Sequence, residues 1–70
     1  MKYIERIRAL REDRDLTQKE VAELLNVGQK TYSDYELGKI RIPLDSVITL
    51  AKFYQVSMDY ICGMTDIRSE

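Results

Sequence analysis

Four polar side chains near the middle of the chain have the types and spacing needed to contact nucleic-acid bases. They are Gln29, Lys30, Ser33 and Asp34. Residues three and four positions apart lie on one face of a helix, so this spacing predicts a single polar face. Glutamine can pair with adenine through two hydrogen bonds, and a carboxylate can accept one from the N4 amino group of cytosine. The alternatives are a helix-capping Gln29, a solvated Lys30 and an ordinary surface Ser33.

The composition gives catalysis and metal binding little support. The chain has no histidine and one cysteine, so it lacks the commonest general base and cannot form a Cys/His metal cluster. It also has no glycine-rich phosphate loop. We therefore expect no enzyme activity and no cofactor, and we interpret Cys62 as a small buried hydrophobic residue.

The size and composition predict a single globular domain over residues 1–70. Hydrophobic residues make up 44% of the 70 positions and charged residues 33%, which is not typical of a disordered chain. The single cysteine and the lack of a signal-peptide pattern favour the cytoplasm. No apolar run is long enough to span a membrane. The start at Met1 suggests a complete small protein or an intact N-terminal domain.

The net charge of −1 is unusual for a nucleic-acid binder, which ordinarily presents a basic surface to the phosphates. The distribution of charge matters more than the sum. Lys30, Lys39 and Arg41 lie close together in the sequence, whereas Asp59, Asp66 and Glu70 lie near the end of the chain.

Two helices and a turn are expected to position the polar face. Thr17 and Glu20 form a capping-box pattern that predicts the start of a helix, with its buried residues at Val21, Ala22, Leu24 and Leu25. This helix ends near Asn26, a residue that tolerates the left-handed conformation of a tight turn. The next helix is predicted from about Gln29 to Leu37, with Tyr32 and Tyr35 facing inward, and Gly38 ends it. The unit spans residues 17–38, and the small Ala22 side chain is expected where its helices cross.

Three further helices complete the predicted all-α fold. The first runs from Lys2 to about Arg14, with Ile4, Ile7 and Leu10 on its apolar face. A fourth starts near Pro43 and buries Leu44, Val47, Ile48 and Ala51. Ser57 caps a short fifth helix. Met58, Ile61 and Met64 either complete the core or contact a second copy, Tyr3 and Tyr60 are expected at the surface or its edge, and residues 64–70 form a frayed tail.

Three segments resemble the Cro/C1-type helix-turn-helix family of phage repressors and bacterial xenobiotic-response-element regulators. They are residues 16–22 (LTQKEVA), residues 35–39 (YELGK) followed by Pro43, and residues 56–63 (VSMDYICG). The resemblance covers roughly residues 4–63. It implies a compact five-helix domain like that of lambda repressor, with double-stranded DNA as partner.

The resemblance also implies roles for individual residues. Gln18 matches a glutamine that typically binds a phosphate, and Lys39 and Arg41 match a loop that commonly contacts the DNA backbone. The face formed by Gln29, Lys30, Ser33 and Asp34 matches the recognition helix. Arg11 and Glu36 match a pair that typically forms a buried structural salt bridge.

Two positions depart from the family pattern. Asn26 replaces the glycine that is usual in the turn, which is acceptable because asparagine tolerates the left-handed conformation. Asp34 places a carboxylate on the recognition face, where it either repels phosphate or accepts a hydrogen bond from cytosine.

We therefore predict a sequence-specific DNA-binding transcriptional regulator, acting as a repressor and binding a palindromic operator as a homodimer. The family resemblance favours a dimer contact around the fourth and fifth helices. The alternative is a protein-interaction module, antitoxin-like or regulator-binding, that keeps the fold without tight DNA binding. The acidic total and Asp34 motivate this alternative.

Overall fold

The computed structural model describes residues 2–68, which form five α-helices joined by short turns. These are α1 (Lys2–Asp13), α2 (Gln18–Leu24), α3 (Gln29–Leu37), α4 (Leu44–Tyr54) and α5 (Met58–Ile61). No strand occurs within this part of the chain, and the all-α prediction is confirmed. None of the helices in residues 2–68 is long and apolar enough to cross a membrane.

The capping box predicted at the start of α2 is present. The Thr17 hydroxyl accepts a hydrogen bond from the Glu20 backbone N–H at 3.1 Å, and the Glu20 carboxylate accepts one from the Thr17 N–H at 2.8 Å. Two backbone donors at the helix end are thereby satisfied. This local pairing fixes where α2 begins, and hence the position of Gln18, the first residue of the helix.

A residue with a left-handed backbone conformation follows each of the five helices described in residues 2–68. Asn26 has a φ of 57° in the turn before α3, as its residue type predicted. Gly38 has a φ of 74° and ends α3. A Cβ atom at Gly38 would also lie 3.2 Å from Cδ1 of Ile4, so this position favours glycine for both conformation and space. Asp15 and Gln55 adopt the same region. Aspartate tolerates this conformation as asparagine does, whereas the residue type gave no such indication for Gln55.

The core takes side chains from all five helices. Its members are Ile7, Leu10, Val21, Ala22, Tyr32, Tyr35, Val47, Leu50, Ala51, Tyr54, Tyr60 and Ile61. The contact between α2 and α3 is more extensive than that between any other two described helices, and Ala22 and Tyr32 are buried in these two helices. The burial predicted for Ala22 and the two inward tyrosines of α3 is confirmed.

Four predictions about burial were wrong. Leu24 is exposed because it is the last residue of α2, and Leu44 is exposed because it is the first residue of α4; neither helix end is covered by the core. Tyr60 is buried rather than peripheral because α5 packs against α1 and α4, and the Arg6 guanidinium lies 4.0 Å from its ring centroid. Cys62 directly follows α5 and is exposed.

Residues 64–68 contact α1, so the predicted frayed tail is wrong for this part of the chain. The Arg6 guanidinium donates to the Thr65 carbonyl oxygen at 3.0 Å and to the Asp66 carboxylate at 2.6 Å. Arg68 donates to the Asp13 carboxylate at 3.0 Å. These partners are far apart in the sequence, and only the fold brings their opposite charges together. Residues 69 and 70 lie outside the described residues.

Candidate nucleic-acid interface

The inner side of α3 is fixed by aromatic packing. Tyr32 and Tyr35 are both buried, and their rings meet edge to face with centroids 6.2 Å apart. An edge-to-face contact at this separation is favourable. Because these two side chains point into the core, the residues on the opposite side of the helix face outward.

The outer side of α3 carries the four residues predicted to contact bases. Gln29 and Lys30 are exposed, as predicted, whereas Ser33 and Asp34 are half-buried. The Lys30 ammonium lies 3.3 Å from the Asp34 carboxylate, and the side chains are 82% and 18% exposed, respectively. The lysine therefore offsets the negative charge of Asp34. Their spacing of four residues is a known signal for such a pair, and the sequence interpretation did not use it.

Gln18 is oriented by a buried carboxylate on α3. Its Nε2 atom donates a hydrogen bond to Oε1 of Glu36 at 3.1 Å. A primary amide has two N–H donors and a carbonyl acceptor, so one donor and the carbonyl oxygen remain for another partner. The sequence interpretation named Gln18 but missed this contact, because residues 18 positions apart give no local signal.

The carboxylate that orients Gln18 belongs to a buried cluster, called here the inner cluster: Gln18, Glu36, Arg11 and Tyr32. Arg11 donates from Nε to Glu36 at 2.7 Å and from Nη2 at 3.1 Å, which confirms the predicted salt bridge. The Tyr32 hydroxyl donates to the same carboxylate. Arg11 also donates to the Leu16 carbonyl oxygen at 2.9 Å. The cluster thus connects α1, the start of α2 and α3.

The hydrogen bonds within the inner cluster control the ionisation of its members. Burial by itself raises the pKa of Glu36, but the hydrogen bonds from Arg11, Tyr32 and Gln18 outweigh it and hold that pKa below the ordinary value. Burial and the hydrogen bond to Glu36 raise the pKa of Tyr32. At neutral pH the carboxylate is therefore ionised and the tyrosine is a neutral donor.

The two remaining predicted site residues lie in the loop between α3 and α4. Lys39 and Arg41 are exposed, and neither forms an ion pair with another residue in the range 2–68. The Lys39 backbone N–H donates to the Asp34 carbonyl oxygen at 2.9 Å. The start of the loop is thereby attached to α3, while both cationic side chains remain available.

This surface is suited to hydrogen bonds and to contacts with charged groups. Within residues 2–68 no group of three or more His, Cys, Asp or Glu side chains could hold a metal ion. The surface offers amide and hydroxyl groups on a helix, flanked by cationic side chains on a loop. Such groups form hydrogen bonds with base edges and phosphate oxygens.

A family model described as helix-turn-helix matches residues 7–61, which include α2, the turn and α3. The chain belongs to the Cro/C1-type helix-turn-helix family. The match confirms the resemblance on which the fold prediction rested. It also contains every residue of the inner cluster.

Curated relatives carry names from the same family. The chain is 41% identical over 64 residues to the uncharacterized HTH-type transcriptional regulator YobD of Bacillus subtilis (strain 168), covering 91% of the chain and 57% of YobD. It is 48% identical over 54 residues to the cryptic phage CTXphi transcriptional repressor RstR of Vibrio cholerae, covering 77% and 49%. The HTH-type transcriptional regulator ImmR of Bacillus subtilis (strain 168) is 36% identical over 62 residues, covering 89% and 49%.

The chain therefore spans about half the length of these relatives. No solved structure matches it. The three names describe transcriptional regulators of the helix-turn-helix type and none of them describes an enzyme.

Proposed function

We propose that the chain is the sequence-specific DNA-binding module of a transcriptional regulator and that it acts as a repressor. The observation that carries this proposal is the exposed start of α3, where Gln29 and Lys30 face outward while the two buried tyrosines of the helix fix its inner side. The major groove is wide enough to accept such a helix. The repressor role is supported by the name of RstR.

The proposed contacts divide into two groups. Gln18, Lys39 and Arg41 bind phosphates and set the register, whereas Gln29, Lys30, Ser33 and Asp34 read base edges. The Glu36 carboxylate presents the Gln18 amide in one orientation, which lowers the entropy lost when that amide binds a phosphate. When DNA binds, Lys30 and Asp34 give up their contact with each other and contact the DNA instead.

A homodimer bound to a palindromic operator is the proposed assembly. Two-fold-related recognition helices bind half-sites about 34 Å apart, one turn of DNA. The described residues measure 32 × 21 × 20 Å, so two adjacent copies can place equivalent helices at this distance. The exposed side chains of Ile40, in the loop before α4, and of Leu44, the first residue of α4, offer apolar area for the contact. Sedimentation at micromolar concentration tests whether the free protein dimerises.

The direct test is binding to the DNA upstream of the chain's own coding sequence. We expect a shifted band in an electrophoretic mobility assay at low salt, and a weaker one as salt rises, because binding releases counterions from the phosphates. An unrelated duplex of equal length is the matched DNA control. Absence of any binding at low salt, where electrostatic attraction is strongest, contradicts the proposal.

Single substitutions separate the two groups of contacts. Lys39→Ala should weaken binding to all sequences and reduce the salt slope by about 1. Lys52→Ala removes another exposed lysine, outside the proposed interface, and should leave the salt slope unchanged.

Gln29→Ala should cost about 1–3 kcal/mol of binding free energy on the operator and much less on unrelated DNA. Equal losses on both DNAs would remove Gln29 from the base-reading group.

The alternative, a protein-interaction module, is favoured by the neutral pair on the recognition face. Asp34→Asn distinguishes the possibilities. If the carboxylate repels DNA, this variant binds all sequences more tightly; if it accepts from cytosine, only operator affinity falls. The alternative gains support if Gln29→Ala and Lys30→Ala leave DNA affinity unchanged but abolish binding of a protein partner.

A further inference from the structure

An apolar groove lies between α2 and α4, apart from the proposed DNA contacts. Its volume is about 400 Å³, and its lining residues are Leu16, Glu20, Val21, Glu23, Leu24 and Phe53. None of these six belongs to the proposed DNA-contact set. The groove therefore has no role in the function proposed above.

The walls of the groove are large apolar side chains left open to solvent. Leu24 is 37% exposed and Phe53 is 40% exposed, while Val21 beneath them is buried. The Phe53 ring contacts the Tyr54 ring edge to face, with centroids 5.2 Å apart, so the core supports one wall of the groove. A cleft of about this volume lined mainly by apolar side chains is typical of a binding site.

Two carboxylates give the groove a negative charge. The Glu23 carboxylate forms no hydrogen bond or ion pair with any other residue in the range 2–68. Glu20 uses one oxygen in the capping box and has no cationic partner in the same range. Phosphates would be repelled here, so this face is unsuited to nucleic acid. A ligand for it must combine apolar area with positive charge.

We propose that this groove binds a basic amphipathic segment of a partner protein. The apolar side chains of such a segment fill the space between Leu24 and Phe53, and its lysines or arginines pair with Glu20 and Glu23. Amphipathic helices bind apolar grooves in this way through residues three and four positions apart. The charge complementarity selects basic over acidic partners.

A second copy of the chain fits the groove less well than a different protein. Within residues 2–68, the exposed apolar side chain with a cationic residue on each side is Ile40, in the loop between Lys39 and Arg41. Docking that loop into the groove of a second copy joins two different surfaces, which closes into a two-fold dimer only if the reciprocal contact forms at the same interface. It would also occupy the two side chains proposed to bind phosphate.

The test uses a designed peptide of about four helical turns, with leucines at positions three and four apart and lysines beside them. Its partner peptide has every lysine replaced by glutamate. Binding of each labelled peptide to the full chain is followed by fluorescence anisotropy. We expect the lysine peptide to bind and the glutamate peptide to bind at least about tenfold more weakly.

Two charge reversals locate the binding site. Glu23→Lys should weaken binding of the lysine peptide about tenfold. The matched control is Glu5→Lys, because Glu5 is exposed on α1, lies outside the groove and has no ion pair with another residue in the range 2–68. Both variants change the net charge equally, and circular dichroism checks their folding. Phe53→Ala should also weaken binding of the lysine peptide, which tests the contribution of the apolar wall.

The proposal is overturned by any of three results. These are failure of the lysine peptide to bind at about millimolar concentration, equal binding of the two peptides, and equal loss in Glu23→Lys and Glu5→Lys. Self-association that is lost in Glu23→Lys assigns the groove to a second copy instead and also overturns it. None of these readouts depends on whether the chain binds DNA.

Discussion

Helix α3 carries ionised groups in two contrasting surroundings. On its inner side the Glu36 side chain is 3% exposed and pairs with Arg11, which is 14% exposed. On its outer side the exposed Lys30 pairs with Asp34 at a longer distance. The inner pair joins residues of two helices, whereas the outer pair joins neighbouring turns of one helix.

The difference separates a structural role from a binding role. Removing one partner of a buried ion pair leaves an uncompensated charge and is strongly destabilising. The outer pair contributes less, because the Lys30 side chain is 82% exposed and is solvated by water with or without its partner. We therefore expect substitutions of Arg11, Tyr32 and Glu36 to change folding. Substitutions in the outer pair should change binding.

The largest expected effect is that of Arg11→Met. This change leaves the Glu36 carboxylate buried without its cation, and the free energy of unfolding should fall by about 3–5 kcal/mol. Urea unfolding followed by circular dichroism measures it. The control is Arg8→Met, since Arg8 forms only an exposed pair with Glu12 at 3.5 Å, and it should cost less than about 1 kcal/mol. Equal losses in the two variants contradict the comparison.

A smaller effect on stability is expected from removing the Tyr32 hydroxyl. Tyr32→Phe removes a hydrogen bond to a charged group and should cost about 1.5–3 kcal/mol. Tyr54→Phe is the matched control, because the buried Tyr54 hydroxyl has no hydrogen-bond partner within residues 2–68. Burial and the nearby negative charge of Glu36 raise the pKa of Tyr54 to about 12. Removing the Tyr54 hydroxyl should leave the free energy of unfolding unchanged or higher. A large loss would show that this hydroxyl has a hydrogen-bond partner.

Acid should weaken the inner cluster through the titration of Glu36. The pKa of this carboxyl is lower in the folded protein than its ordinary value of 4.5. Its contribution is therefore fully present above that value and is lost as the pH falls through the folded pKa. Unfolding free energies measured from pH 7 downward should fall more steeply below pH 4.5 in the natural chain than in Glu36→Gln. Parallel curves contradict this assignment.

The smallest effect on stability is expected at the outer pair. Lys30→Ala should change the free energy of unfolding by less than about 0.5 kcal/mol. The same variant should nevertheless weaken DNA binding and its salt dependence, because it removes a cation from the proposed interface. Measuring unfolding and DNA affinity on one preparation tests both statements. A large stability loss without a change in affinity would reverse the roles assigned to the two sides of α3.

Much of the helix-turn-helix unit could be predicted from the sequence. The bounds of α3, the capping box at Thr17 and the inward tyrosines all agree with the structure. The pair of Arg11 and Glu36 came from family resemblance, since residues 25 positions apart have no local signal. The roles of the seven proposed DNA-contact residues stay predictions, although each of them now has a described environment.

Other features could not be predicted because they depend on where helices end relative to the core. The periodicity that placed Leu24 on a buried face took no account of its position at the end of α2. The groove containing Leu24 and Phe53 follows from that same exposure. No pattern in the sequence joined these two residues.

The sequence by itself determined the local features of this protein: the cap at Thr17, the left-handed turn at Asn26 and the helix end at Gly38. Each depends on backbone preferences and on hydrogen bonds within a few residues. The tertiary structure alone decided which distant groups meet, including Gln18 with Glu36 and Arg6 with Asp66, the latter 60 positions apart. Such contacts form only after the apolar faces of the helices have packed, because burial of those faces provides the main driving force for folding.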